Sequence, residues 1–136
     1  MSSGFQYEVR VRYADIDKMG IVYHSRYLEW FEAARTEFLR SKGMTYLDME
    51  KQGLFLPVIE AHCEYKFPVF YDDLIAIQTV LADVSRLKIR LAYTVLSNPE
   101  RSVKVQGYTI HCFMNEKGTP VRAPKEIFEL FCEISN

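Results

Sequence analysis

The sequence predicts an α+β domain in which one antiparallel sheet wraps around a single long central helix. Three observations lead there: several segments alternate apolar and polar residues with period two, the segment from Tyr27 to Leu39 keeps three-and-four spacing, and the later strands follow one another at hairpin distance. Consecutive strands so closely spaced pair antiparallel, and a helix with a broad aromatic stripe has to be buried by the sheet they form.

The elements follow in chain order. From Phe5 to Tyr13 the odd positions Phe5, Tyr7, Val9, Val11 and Tyr13 are apolar and the even ones Gln6, Glu8, Arg10 and Arg12 polar, which is a half-buried strand. After a loop from Ala14 to Tyr23, the residues Tyr27, Leu28, Phe31, Ala34, Arg35, Phe38 and Leu39 trace one stripe of a long helix, widened by Trp30 and stopped at Gly43. A short helix is expected over Tyr46 to Lys51, capped by Thr45 and ended by Gly53. Alternation resumes from Ile59 to Phe67, with Ile59, Ala61, Cys63, Tyr65 and Phe67 against Glu60, His62, Glu64 and Lys66. Pro68 and the Tyr-Asp-Asp turn at 71–73 end that strand. Leu74 to Val84 and Leu87 to Leu96 form a hairpin around Ser85-Arg86, and Arg101 to Met114 is reached through Ser97-Asn98-Pro99-Glu100. From Pro124 onward, Ile127, Leu130, Phe131 and Ile134 recur at helical spacing.

Length and composition exclude several classes. A chain of 136 residues, 49% hydrophobic, 26% charged and 14% aromatic, is expected to form one domain, residues 1–136, with a core rich in rings. Its net charge of −1 gives no global attraction to nucleic acid. No apolar run is long enough to span a bilayer, and the N-terminal Met-Ser-Ser-Gly-Phe-Gln lacks a basic-then-apolar signal pattern, so the expected address is the cytoplasm. Cys63, Cys112 and Cys132 are odd in number and without Cys-x-x-Cys spacing, and read as reduced, mostly buried hydrophobes. A small sheet of this kind leaves edges open to strand addition by a second copy.

Most catalytic templates are missing: there is no Gly-x-Ser-x-Gly, no Gly-x-Gly-x-x-Gly and no Walker loop. The Asp15-x-Asp17 run is not a calcium loop, since Arg26 stands where a bidentate Glu is needed. The pairs His62-Cys63 and His111-Cys112 point to opposite faces of their strands, so no metal site is expected. What remains is the loop before the long helix. Gly20 allows a tight turn, and the chain near His24 enters the helix with unpaired N–H groups and a positive dipole end. Such donors suit an oxygen gaining negative charge, and Asp17 suits a base or nucleophile beside it. On residue types alone, an Asp before a helix is more often a turn former or cap.

A specific resemblance decides between these readings. The run Asp-Ile-Asp-Lys-Met-Gly-Ile-Val-Tyr-His-Ser-Arg-Tyr-Leu-Glu-Trp-Phe-Glu-Ala-Ala-Arg-Thr-Glu-Phe-Leu, ending at Leu39, closely resembles the signature of YbgC-like acyl-CoA thioesterases, in the 4-hydroxybenzoyl-CoA thioesterase group of hotdog-fold proteins. Tyr65-Lys66-Phe67-Pro68-Val69-Phe70-Tyr71-Asp72-Asp73 is similar to that family's second recurring segment. The resemblance implies a hotdog fold and thioester hydrolysis, with Asp17 as the catalytic carboxylate, Asp15 shaping the loop, and the backbone around His24, together with Gly20, Ile21, Val22 and Tyr23, holding the substrate. Ile16 and His24 depart from the hydroxybenzoyl branch, so aliphatic, often short-chain, acyl-CoA is the implied substrate, cleaved as a homodimer or homotetramer. Coenzyme A belongs to the substrate and no other cofactor is implied; a non-catalytic module for acyl-CoA or acyl carrier protein, and an enoyl-CoA hydratase or dehydratase, are the alternatives.

Coenzyme A carries phosphates, which call for local basic charge. Arg86, Lys88 and Arg90 alternate along one strand face and are candidates, although such residues also serve as edge protection. Glu60 and His62, with Glu64, share a face that approaches the catalytic loop of the other subunit in a hotdog dimer; they either orient substrate or water, or form a solvated polar face.

Overall fold

The computed structural model describes residues 5–135; the first four residues of the N-terminal stretch read as lacking a signal pattern lie outside them. The elements are β1 (Phe5–Arg10), a 3₁₀ turn (Tyr13–Asp15), α1 (Arg26–Ser41), α2 (Tyr46–Lys51), β2 (Leu54–Phe55), β3 (Val58–Tyr65), β4 (Leu74–Val84), β5 (Lys88–Ser97), β6 (Val103–Cys112), β7 (Met114–Asn115) and α3 (Lys125–Ser135). Five strands form one antiparallel sheet in the order β1-β4-β5-β6-β3, and β2 pairs with β7 in a separate ribbon. Among the described residues, no helix is long and apolar enough to cross a membrane.

The odd-numbered residues of the strands face α1. One rung runs Cys63, Gly107, Tyr93, Thr79, Phe5 across all five strands. Against it α1 buries Tyr27, Phe31, Ala34, Phe38 and Leu39. Phe31 lies flat on Tyr93, with ring centroids 4.2 Å apart. This close approach depends on Gly107, where a Cβ would stand 2.8 Å from Phe31 Cε2 and would collide with the His62 carbonyl. The sheet thus carries the helix in its concave face, as the expected fold class requires. α3 adds Phe131, edge-on to Phe113 at 5.8 Å, to the same core.

Several expectations need correction. β1 stops at Arg10, because Val11 leaves the ladder to bond Asp73 and the chain turns at Tyr13–Asp15, so Tyr13 is exposed and stacks on Tyr71 at 3.9 Å. Leu28, placed on the buried stripe of the long helix, is exposed. The strand expected from Ile59 to Phe67 spans Val58–Tyr65, and its apolar side is covered only in part: Cys63 packs on the core, but Ile59 is 53% exposed, Tyr65 50% and Phe67, just past its end, 60%. The cause is topological. β3 is an edge strand bonded to β6 alone, and the chain then crosses to the middle of the sheet to begin β4. The three cysteines are free and half-buried.

Candidate active site

The loop between β1 and α1 is built around Asp15, which is only 2% exposed. Its Oδ2 accepts the Arg12 N–H at 2.8 Å, its Oδ1 lies 3.7 Å from Arg26 Nε, and its backbone carbonyl accepts the Tyr23 N–H at 2.9 Å. Arg26 in turn donates to the Ala14 carbonyl at 2.9 Å, so the first residue of α1 is tied to the start of the loop. Between these anchors the chain doubles back. Asp17 N–H donates to Ile21 O (2.9 Å) and Gly20 N–H to Asp17 O (3.0 Å), with Gly20 at φ +82°. No atom lies within 4 Å of a Cβ built there, so conformation and not space requires glycine. Val22 N–H bonds Val69 O at 2.8 Å, fixing the loop to the segment that links β3 and β4.

This folding brings Asp17, Ile21, Val22 and His24 to one cavity of about 370 Å³, closed on its other side by Tyr65, Lys66, Phe67 and Pro68, with Met19 at the rim. Asp17 Oδ1 accepts the Met19 N–H at 2.8 Å, while Oδ2 has no partner among the described residues. His24 and Ser25 precede the first helical residue, Arg26, and their N–H groups have no acceptor among the described residues. The Tyr23 carbonyl is held by the Arg26 N–H (2.9 Å) and the His24 carbonyl by the Tyr65 hydroxyl (3.2 Å). A half-bonded carboxylate and the free N–H of His24, just before a helix start, therefore border the same apolar-walled space. Chemically, that arrangement can bind a carbonyl oxygen and deliver a base or nucleophile to its carbon.

The other predicted residues divide. Gly20 makes the turn, and Tyr23 is exposed beside His24, their rings 4.4 Å apart. Glu60, His62, Lys88 and Arg90 stand on the sheet face opposite α1, away from the Asp17 cavity. There the Tyr108 ring stacks with His62 at 5.1 Å, lies under the Arg90 guanidinium at 4.1 Å, and donates its hydroxyl to Glu60 at 2.5 Å. His62 also meets Glu64 at 3.2 Å, and hydrogen bonds from His62 and Lys66 hold the Glu64 carboxyl below its ordinary range. The expected alternation of Arg86 with Lys88 and Arg90 is not observed. β5 begins at Lys88, and Arg86 lies in the preceding turn with Nε and Nη2 on the Ala123 carbonyl (3.1 and 2.6 Å), where it ties down the chain before α3.

Sequence reasoning left out of the site the residues that close it, Tyr65 to Pro68. Their recurrence as a block with the Tyr-Asp-Asp turn was the available signal; what it could not give was that β3 ends against the Asp17 loop. Among the described residues no cluster of His, Cys, Asp or Glu is arranged to hold a metal ion.

The chain as a whole is similar to known thioesterases. Residues 11–131 match the model of a family described as the thioesterase-like superfamily. The acyl-CoA thioesterase YbgC of Haemophilus influenzae is 36% identical over 136 aligned positions that cover 96% of each chain. Among solved structures, the DHNA-CoA thioesterase of Staphylococcus aureus superposes with a TM-score of 0.89 at 30% identity, over 96% of this chain and 89% of that one. A protein of Aquifex aeolicus superposes with a TM-score of 0.86 at 39% identity, over 93% of this chain and 98% of that one.

Proposed function

The chain belongs to the thioesterase-like superfamily, and on that premise we propose that Asp17 and the backbone N–H groups near His24 hydrolyse acyl-CoA thioesters to free acid and coenzyme A. It is a YbgC-like thioesterase of the hotdog fold. The observation that carries the site assignment is the convergence on one cavity of a carboxylate with a free oxygen and of His24, whose backbone N–H is unpartnered among the described residues.

The thioester oxygen accepts a hydrogen bond from the His24 N–H, which strengthens as the carbonyl gains negative charge at the positive end of α1. Asp17 acts in one of two ways. Its free oxygen attacks the carbonyl carbon, coenzyme A leaves as thiolate, and water cleaves the resulting anhydride; or the carboxylate takes a proton from water as that water attacks. In both, the leaving thiolate is stable enough to depart with little acid assistance. The apolar walls at Ile21, Val22 and Phe67 suit an apolar acyl group, and a short aliphatic one is the proposed substrate. No further cofactor is invoked, because coenzyme A arrives with the substrate.

Lys88 and Arg90, which face away from the Asp17 cavity of their own subunit, are the proposed contacts for the coenzyme A phosphates. The proposed assembly is a homodimer formed along the open edge of β3, or a pair of such dimers, supported by the exposed Ile59, Tyr65 and Phe67. Free thiols at Cys63, Cys112 and Cys132 support work in a reducing compartment, the cytoplasm. The decisive experiment is a hydrolysis panel over acyl-CoA lengths and aryl-CoAs with wild type and Asp17→Asn. The variant keeps the Met19 contact, so it folds while kcat falls about a thousandfold. Undiminished hydrolysis by Asp17→Asn sinks the assignment.

A further inference from the structure

We propose that Lys66 and Lys104 form a clamp for the diphosphate of coenzyme A, placed at the mouth of the Asp17 cavity of their own subunit. The inference deepens the function proposed above and rests on it. Coenzyme A carries a diphosphate at the end of its pantetheine arm and a separate phosphate on its ribose, so basic contacts are called for at two places. Lys88 and Arg90 face away from the cavity and suit the more distant one. Lys66 is the one lysine or arginine among the residues that line the cavity. It follows the last residue of β3 and precedes Phe67, which lines the cavity as well. The Lys104 ammonium lies over the Phe67 ring, 5.9 Å from its centroid. One lysine therefore borders the cavity, and the other overlies a residue that walls it.

The backbone brings the two lysines together and leaves their charges available. The N–H groups of Lys66 and Phe67 both donate to the Lys104 carbonyl at 3.0 Å, which joins the end of β3 to the start of β6. Lys66 Nζ stands 3.4 Å from Glu64 Oε1, in an ion pair whose side chains are 42% and 56% exposed. Pairs so open to water hold weakly, and the same carboxylate also meets His62 at 3.2 Å, so a diphosphate bearing two charges competes well for the ammonium. Lys104 borders a polar cavity with Asp72, Asp73 and Glu100, yet none of these carboxylates pairs with it among the described residues. Two ammonium groups beside Phe67 thus give the mouth a local positive field that the net charge of −1 does not reveal.

The test compares wild type, Lys66→Met, Lys104→Met, the double variant and Asp17→Asn in hydrolysis of one acyl group carried on coenzyme A and on pantetheine, which has no phosphate. Methionine keeps the aliphatic stem beside the cavity and removes only the charge. Each single variant is expected to raise KM for acyl-CoA about fivefold and the double variant about twentyfold, with kcat within about twofold of wild type. KM for acyl-pantetheine should stay within about twofold in all three, and the rise of KM for acyl-CoA with added salt should be smaller in the double variant. Titration calorimetry with free coenzyme A should show the same weakening apart from turnover. Coenzyme A affinity and KM within about twofold of wild type in the double variant, or an equal loss on acyl-CoA and acyl-pantetheine, overturns the proposal. If Asp17→Asn is inactive while the double variant handles acyl-CoA normally, only the clamp fails; if Asp17→Asn hydrolyses normally, the underlying reaction assignment fails.

Discussion

Asp15 and Asp17 lie two positions apart, and their surroundings assign them opposite duties. Asp15 is buried and bonded to Arg12 and Arg26, whereas Asp17 is half-buried with one oxygen free. Asp15→Ala leaves the Arg12 N–H and the Arg26 guanidinium without their partner and is expected to cost about 2–4 kcal/mol in denaturant unfolding. Asp17→Ala should cost under about 1 kcal/mol by the same measurement, since it forfeits one exposed turn contact. His111 makes a second residue-scale prediction. Its ring is fully buried, with Nδ1 3.0 Å from the Leu56 carbonyl and Nε2 2.8 Å from Thr109 Oγ1. Burial lowers its pKa from 6.5 to about 4; the Leu56 bond opposes the shift and Arg35 adds to it. The unfolded chain therefore binds the extra proton first as the pH falls. The stability linked to this group is complete above about pH 6.5 and is lost progressively down to about pH 4, by roughly 3 kcal/mol. Urea midpoints across that range should show this slope in wild type, and His111→Gln should reduce it.

At the scale of elements, the segments whose signal is local were legible and those defined by a neighbour were not. α2 spans Tyr46–Lys51 as read, with Thr45 Oγ1 accepting the Asp48 N–H at 3.0 Å, because a cap and a following glycine are properties of the nearby chain. Thr45→Ala should cost about 1 kcal/mol in thermal unfolding. The ribbon of Leu54–Phe55 with Met114–Asn115 escaped notice, since two-residue strands carry no period and exist only through pairing. The contact of Phe31 with the sheet is of the same kind. Gly107→Ala should destabilise by about 2–3 kcal/mol, because the added methyl meets both an aromatic ring and a backbone carbonyl that cannot move apart independently.

For the whole molecule, the decisive feature is that β3 lies at one edge while its successor β4 lies inside the sheet. The crossing segment carries Tyr65, Lys66, Phe67 and Pro68 to the Asp17 loop, and the edge exposes Ile59, Tyr65 and Phe67. If copies join there, Ile59→Lys places a charge on the joining strand, and sedimentation should report a single-chain mass with loss of hydrolysis. An unchanged assembly would place the interface elsewhere.

The sequence by itself determined the α+β class, the buried face of α1, the hairpin of β4 with β5, and the candidacy of Asp17 and His24, because periodicity, caps and a contiguous motif are written along the chain. Only the tertiary structure decided that Arg86 serves the Ala123 carbonyl, that Glu60, His62, Lys88 and Arg90 face away from their own cavity, and that the Tyr65 hydroxyl donates to the His24 carbonyl. Those facts depend on strand order. Alternation says which residues share a face, but which edge a strand occupies, and so what its side chains meet, follows from pairings between distant segments.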